Sequence, residues 1–444
     1  MSDICSNFTA YPAPCSYEFE CRDDCRLKIY EGQDSNVFGK YIDNLKNDGL
    51  NLISYREIQG NIFAAFTGKA NLTLLYTPCD KTVRLTASRE NRFPSFTKQD
   101  CKGNGQTKFY AFENDQTLID CGMCLMIQCP DDSFFLVDSG HYLQMNDNDR
   151  IHKFMRDRTP EGKKIVINGW FITHAHSDHI SKLIDFLKYN TDDVIIEGFY
   201  ENLLPCDYPN SDWEFEEKEL ARKLFRVLDG YPAPVYKLHT GEKFYVRNLS
   251  FEVLSTFEDI IPEFIDDYND SSTVLMLEAE NTKIFIPGDA AVKADRIMLR
   301  RYREPLECDI VQVSHHGHTG LSAEMYEKLS AKVSVFPVTR IFFEDEYDRN
   351  DANRKAVEIA DEYFVTGDGT IEITLPYKTG SAKALPDETF EDFAKIKRLW
   401  RYDYPKERMD RLYKTFLSNS GSLENTLIPA SPEGWIEPKP PTDE

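Results

Sequence analysis

Residues 173–179 limit most strongly what this chain can fold into and do. They read Thr-His-Ala-His-Ser-Asp-His, so three of the nine histidines and one carboxylate fall within six residues. The apolar residues of 165–172 come directly before them and predict a buried strand. A polar surface loop would not need three histidines at this spacing. We therefore predict a metal site where the strand ends.

The spacing of these ligands indicates two metal positions. In an extended segment alternate side chains point the same way, so His174 and His176 can reach one ion together. The next turn redirects Asp178 and His179 towards a second position. Nitrogen ligands with one carboxylate suit Zn²⁺, and Mn²⁺ or Fe²⁺ are also possible. The remaining ligands must come from other parts of the chain.

Two later predicted strands end in suitable side chains. One leads into Gly288 and Asp289, where the glycine lets the backbone turn sharply, and the next leads into His315, His316 and His318. A Gly-Asp pair alone is a weak signal, because turns contain many of them. Three strand ends that all carry ligands predict one shared site.

This order of motifs resembles the metallo-β-lactamase superfamily. Within it, the chain is most similar to the soluble hydrolase domain of bacterial DNA-uptake (competence) proteins. The resemblance covers residues 108–378 and includes three supporting pieces: Phe-Leu-Val-Asp-Ser-Gly at 135–140, Asn-Asp-Ser-Ser-Thr-Val-Leu at 269–275 and Asp-Gly-Thr-Ile at 368–371. It implies an α/β fold, a four-layer αββα sandwich with two divalent ions at one edge.

The resemblance also implies roles for single residues. The metal ligands form two sets that share one carboxylate: His174 and His176 for the first ion, Asp178, His179 and His315 for the second, and Asp289 between them. Of His315 and His316 we favour His315 as the metal ligand, because it comes first after its strand. His316 or His318 is then expected to face the substrate. Asp178, His316 and His318 are the expected catalytic residues. Asp138 is expected to orient the motif loop from behind the ligands.

One departure from the family concerns the first metal. Many members have a further ligand histidine between the first motif and the Gly-Asp pair. Here that interval contains only His239, which follows a predicted strand, and we expect a surface or packing role for it. The first metal position is therefore expected to have open coordination sites.

The rest of the chain divides by pattern. We predict an irregular N-terminus at 1–25, a small α/β module at 26–90, a linker at 91–107, the hydrolase domain at 108–378 and a helical extension with a flexible tail at 379–444. Substrate specificity is expected in the loops at 203–213, 256–269 and 340–353. Cys121 and Cys124 spell a Cys-x-x-Cys motif, but at the start of a strand we expect two ordinary core cysteines.

Composition limits the partners. The formal charge of −23 repels phosphate backbones, so nucleic acid is an unfavourable partner, though a nuclease is not excluded. No apolar run reaches the length of a membrane helix and no secretion signal is visible, so we expect a cytoplasmic protein without membrane contact. A protein partner could bind the module at 26–90 or the predicted helix at 388–416.

The function that we expect is hydrolysis by a metal-bound hydroxide, with phosphoesters and phosphodiesters as the first class of substrate. The alternatives are a nuclease, a hydrolase of lactones, thioesters or β-lactams, and a metal-containing scaffold without activity. A redox di-iron enzyme is a further alternative, but such relatives carry a carboxylate where this chain has His176.

Overall fold

A computed structural model describes residues 4–385, apart from 23–24, 90, 115–118, 120, 145–146, 207 and 209–214. The predicted helix at 388–416 and the tail lie outside the described residues. The first part of the chain forms six strands and one helix: β1 (Tyr17–Glu20), β2 (Cys25–Tyr30), α1 (Ser35–Asn47), β3 (Asn51–Ile58), β4 (Asn61–Thr67), β5 (Asn71–Thr77) and β6 (Thr82–Ser88).

These strands build one antiparallel sheet in the order β1-β2-β6-β5-β4-β3. Helix α1 begins where Asp34 accepts hydrogen bonds from the backbone N–H groups of Asn36 and Val37, at 2.8 and 3.0 Å. Its buried residues are spaced as one helical face that packs on the sheet, and they are Phe38, Tyr41, Ile42 and Leu45. Residues 1–25 are not wholly irregular as expected, because β1 pairs with β2 at the sheet edge.

The remaining strands are β7 (Lys108–Ala111), β8 (Cys124–Gln128), β9 (Phe134–Asp138), β10 (Ile165–Ile172), β11 (Val194–Ile196), β12 (Phe199–Glu201), β13 (Val235–Lys237), β14 (Lys243–Val246), β15 (Leu249–Ser255), β16 (Val274–Ala279), β17 (Thr282–Ile286), β18 (Ile310–Gln312), β19 (Val333–Phe336), β20 (Glu362–Val365), β21 (Ile371–Thr374) and β22 (Lys383–Ala384). The remaining helices are α2 (Asp147–Arg158), α3 (Ser177–Tyr189), α4 (Phe215–Gly230), α5 (Val292–Arg301), α6 (Ala323–Leu329), α7 (Arg340–Tyr347) and α8 (Asp351–Ile359).

Two sheets form the predicted sandwich. One has the order β13-β12-β10-β9-β8-β7-β21-β22, with β11 also paired to β10, and the other has the order β14-β15-β16-β17-β18-β19-β20. A core that includes Phe135, Phe251 and Leu275 lies between them. Separate cores pack α2–α4 on the outside of the first sheet and α5–α8 on the outside of the second. The fold is therefore the expected four-layer αββα sandwich.

The structure differs from the sequence-based expectation in three helices. Helix α3 begins at Ser177 rather than after His179, because the carbonyl of His176 already accepts from the N–H groups of His179 and Ile180, both at 3.1 Å. Helix α7 occupies the first part of the expected loop at 340–353. Helix α2 was not expected, since only Ile151 and Met155 are buried apolar residues on it.

The N-terminal sheet docks on the sandwich through buried charges. The guanidinium of Arg84 donates to the carbonyl oxygens of Glu258 and Asp259, both at 3.0 Å. The carboxylate of Asp259 is also paired with Arg301, at 2.6 and 3.0 Å. The loop that follows β15 is thus held by the N-terminal sheet on one side and by α5 on the other. No helix in the described part of the chain is both long and apolar enough to span a membrane.

Candidate metal centre

Three strand ends bring three of the predicted ligands and His316, predicted to face the substrate, together at one edge of the sandwich. Strand β10 leads into the histidine motif, β17 into Asp289 and β18 into His316. One ligand atom from each of Asp178, His179, Asp289 and His316 lies within 4.8 Å of all the others. Asp178 and His179, which follow a strand of the first sheet, therefore meet Asp289 and His316, which follow strands of the second sheet more than a hundred positions later in the chain.

The distances within this group are those of ligands around a small ion. Nε2 of His316 lies 3.0 Å from Oδ2 of Asp178 and 3.4 Å from Oδ2 of Asp289. Nε2 of His179 lies 3.1 Å from Oδ2 of Asp289 and 3.2 Å from Nε2 of His316. Two carboxylates and two imidazoles thus point at one shared space.

Hydrogen bonds behind the rings fix which nitrogen faces that space. Nδ1 of His179 lies 2.7 Å from the carboxylate of Asp138, and Nδ1 of His316 lies 2.8 Å from the carbonyl of Pro337. Both oxygens only accept, so each Nδ1 carries the proton. The Nε2 atoms then present lone pairs to each other, which is stable only if protons or a cation lie between them.

The electrostatics follow from this crowding. Burial opposes a charge on His316, but Asp289 and Asp178 raise its pKa to about 10. Burial likewise opposes the charge on Asp178, yet His179 and His316 hold the pKa of that carboxyl well below its usual value. The pKa of Asp289 is lowered in the same way. The site therefore keeps its carboxylates ionised and requires positive charge between them.

His174 lies at the side of this group and is fully buried. The hydroxyl of Thr173 donates to the carboxylate of Asp138 at 2.7 Å. Since its proton is engaged there, the hydroxyl oxygen accepts from Nδ1 of His174 at 3.0 Å. Nε2 of His174 and Oδ1 of Asp289 are both buried without a hydrogen-bond partner. An unpaired buried donor or acceptor is costly, and a divalent cation would satisfy both atoms. The residues present fit such an ion.

The turn that carries Asp289 is held from two sides. Gly288 has a φ of +57°, and a Cβ on it would lie 2.8 Å from Cβ of Thr173. The side-chain amide of Gln312 donates to the carbonyl of Gly288 and accepts from its N–H, both at 3.0 Å. The N–H of Asp289 donates to the hydroxyl of Ser272 at 3.2 Å. Glycine is therefore required here by both conformation and space.

The structure places His315 and His316 the other way round from the prediction. His316, expected to face the substrate, lies in the ligand group, and His315, expected to be the ligand, does not. The cause is the backbone, since His315, His316 and Gly317 have φ values of 51°, 55° and 90°. In this left-handed turn the order along the chain does not tell which ring points inward.

His176 lies beside the ligand group and not inside it. Its Nδ1 is 2.8 Å from Oδ1 of Asn269, and its Nε2 is 3.6 Å from Oδ1 of Asp267. The amide nitrogen of Asn269 lies 3.2 Å from Nε2 of His315. Asn269 thus joins the two histidines across the cleft.

The other predicted residues have separate positions. Asp138 lies behind the ligand group, where its carboxylate contacts His179 and Thr173, and its orienting role stays a prediction. His318 is half-buried, with its ring centroid 4.2 Å from that of Phe342. His239 is buried with Nδ1 3.0 Å from both carboxylate oxygens of Glu258, so it supplies no ligand to this group.

Three residues at the site were not predicted. Asn269 lies in a stretch that was recognised only as a family motif, and Asp267 lies in an expected specificity loop. Cys121 was expected in the core, yet its thiol donates to Oδ2 of Asp178 at 3.5 Å. A bridge of Cys121 to Val338 and a hydrogen bond from the N–H of Met123 to the carbonyl of Asp178, at 3.2 Å, hold this segment there, so no local signal could have revealed it.

Comparison with known proteins matches part of this chain to one family. The model of the metallo-beta-lactamase superfamily matches residues 120–337. No curated protein was found to be similar to the sequence. The metallo-beta-lactamase fold protein YhfI from Bacillus subtilis is similar at 10% identity over 58% of this chain and 96% of its own, with a TM-score of 0.37.

Two further solved structures have similarly low sequence identities and TM-scores. Zn²⁺-bound PqqB from Methylobacterium extorquens has 13% identity over 59% of this chain and 99% of its own, with a TM-score of 0.36. A diphosphatase of the PhnP family has 17% identity over 52% of this chain and 86% of its own, with a TM-score of 0.30. The match of the family model supports a metallo-beta-lactamase superfamily domain at residues 120–337.

Proposed function

We propose that this chain is a metal-dependent hydrolase that acts on phosphoesters. The observation that carries the proposal is the pair of facing Nε2 atoms of His179 and His316, 3.2 Å apart and faced by two carboxylates. Such a group has no packing role that apolar side chains would not fill at lower cost. Divalent cations held there would lower the pKa of a bound water and neutralise charge that develops on substrate oxygens.

The residues of the chain have separable tasks in this reaction. Asp178, His179, Asp289 and His316 hold the positive charge in place. Asp138 and Pro337 fix the ring orientation of His179 and His316 from behind. Because these groups are buried and their hydrogen bonds are already formed, little reorganisation is needed when charge develops on the substrate.

His315 is the residue that we propose to contact the substrate. Its ring lies next to the ligand group but outside it, and Nε2 is oriented by the amide of Asn269 at 3.2 Å. Nδ1 of His315 is buried without a hydrogen-bond partner. Because the residue as a whole is only partly buried, its ring can contact a substrate at the edge of the site.

Several finer expectations remain proposals. We propose two ions, with Zn²⁺ preferred and Mn²⁺ or Fe²⁺ possible, since the chain offers imidazole and carboxylate ligands in one place. Bacterial origin, the cytoplasm as location and the likeness to competence proteins remain predictions from the sequence. The same holds for a protein partner at 26–90.

The test is a substrate screen with loaded and metal-free protein. Turnover of bis(p-nitrophenyl) phosphate, p-nitrophenyl phosphate, single-stranded DNA, a thioester, a lactone and a β-lactam would be measured with Zn²⁺, Mn²⁺ and Fe²⁺. We expect phosphoester turnover that disappears, together with metal content, in the His174→Ala/His176→Ala protein. Full turnover by the metal-free protein would contradict the proposal, and silence towards every substrate by loaded protein would favour a scaffold.

A further inference from the structure

We propose that Cys21 and Cys25 form a dithiol site that a hydroperoxide oxidises to a disulfide. The two residues lie at the open end of a hairpin, because β1 ends at Glu20 and β2 begins at Cys25. This hairpin forms one edge of the N-terminal sheet. The site is separate from the metal centre, and the inference does not depend on the proposed hydrolysis.

The first step is that the two cysteines face each other across the hairpin. In the antiparallel register Glu20 is opposite Arg26, so Cys21 and Cys25 are the next pair. The N–H of Cys21 donates to the carbonyl of Cys25 at 2.8 Å. Residues opposed in this way have Cα atoms about 4.5–5.5 Å apart. A disulfide spans about 4.4–6.8 Å, so the pairing permits one.

The second step concerns the side chains, which lie on the same face of the hairpin. That face is turned to the sandwich, where Cys21 is 9% and Cys25 is 2% exposed. Both belong to the core that contains Phe257 and Ile260. The thiol of Cys21 donates a hydrogen bond to the sulfur of Cys25, so the two sulfur atoms are already in contact.

The third step is that the two thiols differ in charge. The hydrogen bond from Cys21 lowers the pKa of the Cys25 thiol, although burial opposes this change. The positive charges of His239 and Lys237 lower it further, and Glu258 raises it. The same hydrogen bond and burial raise the pKa of Cys21 well above its usual value. Cys25 is therefore the thiolate of the pair, and Cys21 keeps its proton.

These roles define a balanced reaction. The Cys25 thiolate attacks one oxygen of hydrogen peroxide, the O–O bond breaks, and the sulfur becomes a sulfenic acid while hydroxide leaves and takes a proton from water. The sulfur of Cys21 then attacks the sulfenic sulfur and forms the S–S bond. The proton of Cys21 joins the departing hydroxide as water. The two sulfur atoms lose two electrons in total, and these electrons reduce the peroxide.

The disulfide would close the hairpin where it docks on the sandwich. Between the two cysteines, Nη2 of Arg22 lies 2.5 Å from Oε1 of the buried Glu201. The guanidinium of Arg22 also lies over the ring of Phe225 on α4, 3.7 Å from its centroid. The ring centroid of Phe19 on β1 is 6.0 Å from that of Phe257. A covalent bridge beside these contacts restricts local opening of the hairpin.

The experiment maps oxidation in the full chain. Reduced protein is treated with hydrogen peroxide, alkylated, unfolded and digested with trypsin. No Lys or Arg precedes Arg22, so Cys21 is released in the peptide 1–22, together with Cys5 and Cys15, and Cys25 alone in the peptide 23–26. We expect fragment spectra to show these peptides joined through Cys21, about 2 Da below their summed mass. Dithiothreitol should separate them.

Variants test the two roles. Cys21→Ala should leave Cys25 as a sulfenic acid that dimedone labels, whereas Cys25→Ala should give no dimedone adduct at Cys21. Cys15→Ser is the matched control, because Cys15 lies in the same peptide and is exposed. That variant should form the link as the wild type does. Trypsin should also cut the oxidised, folded wild type after Arg22 at least about threefold more slowly than the reduced protein.

Two results would overturn the inference. One is wild-type protein in which peroxide oxidises Cys15 while the peptides 1–22 and 23–26 stay unlinked, because the pairing across the hairpin would then have no chemical effect. The other is a link that joins Cys25 to Cys5 or Cys15 as often as to Cys21. Both measurements use the wild type, so they hold even where a variant at the buried pair folds poorly.

Discussion

His179 is held between two carboxylates, with Nδ1 2.7 Å from Oδ2 of Asp138 and Nε2 3.1 Å from Oδ2 of Asp289. One carboxylate thus sets the direction of the ring and the other shares the space into which it points. The orienting residue is itself fixed, since Asp138 follows the buried residues of β9 and has a φ of 53°. The geometry of the metal centre therefore depends on a residue that does not belong to it.

The first prediction tests this dependence with Asp138→Asn. The carboxylate accepts from the N–H and hydroxyl of Thr173 and from His179, so an amide NH₂ must face at least one donor. We expect metal affinity to fall about 10–100-fold, as measured by competition with a chelating dye. Asp193→Asn is the control, because Asp193 also pairs with a histidine, Nε2 of His152 at 2.6 Å, but on the surface at α2. Equal affinities in both variants would contradict the orienting role.

The second prediction separates two neighbouring histidines. His316→Ala removes a member of the ligand group, so we expect loss of one ion on elemental analysis. His315→Ala should retain both ions and lose turnover instead, because His315 lies on the substrate side next to Asn269. If His315→Ala lost the metal and His316→Ala kept it, the assignment from the structure would be reversed.

The third prediction concerns Gly288→Ala. The new methyl group would lie 2.8 Å from Cβ of Thr173, and the φ of +57° adds backbone strain. We expect the free energy of unfolding to fall by about 2–4 kcal/mol in urea denaturation, with weakened metal binding. Gly162→Ala provides the control, since Gly162 has a φ of +75° but no atom within 4 Å of the new methyl group. That variant should lose only about 1 kcal/mol.

The fourth prediction concerns the pH dependence of stability. Burial opposes a charge on His239, but Glu258 raises its pKa to about 9, above the value of 6.5 expected in the unfolded chain. The folded protein then holds a proton that the unfolded chain has released, so stability is fully present below pH 6.5 and is lost as the pH rises to about 9. Burial raises the pKa of the nearby Glu242 to about 8, which acts in the same direction.

The measurement compares the wild type with His239→Gln between pH 6.5 and 9. The free energy of unfolding of the wild type should fall more steeply, by on the order of 1 kcal/mol per pH unit relative to the variant. Metal-ligand titrations are common to both proteins and cancel in the difference. Parallel curves would show that His239 is not charged in the folded state.

The sequence allowed much of the fold to be predicted, because its signals are local. The apolar run of β10 and the histidine motif after it predicted both the sandwich and the edge at which the candidate ligand group lies. Helix α2 was not predicted, because its buried positions include Asp147 and Asn148 and no apolar stripe marks it. The start of α3 was placed too late because a motif rich in ligands does not resemble a helix start.

The site was harder to predict wherever the backbone conformation decides the direction of a side chain. The left-handed turn at 315–317 places His316 rather than His315 in the ligand group, and residue types do not encode that direction. Cys121 and Asp267 reach the site through strand pairing and a loop path that depend on residues far away in the chain. Sequence patterns identify the kinds of ligand, while the directions of side chains need the folded backbone.

The clamp of Arg84 on the carbonyl oxygens of Glu258 and Asp259 has a practical meaning for anyone who wishes to engineer this protein. Those carbonyls and the side chains of Asp267 and Asn269 belong to one continuous loop. A chain trimmed to the sandwich alone would release one end of that loop and leave Asp259 and Arg301 newly hydrated. The smallest unit that keeps this loop fixed at both ends is therefore the sandwich together with its N-terminal sheet.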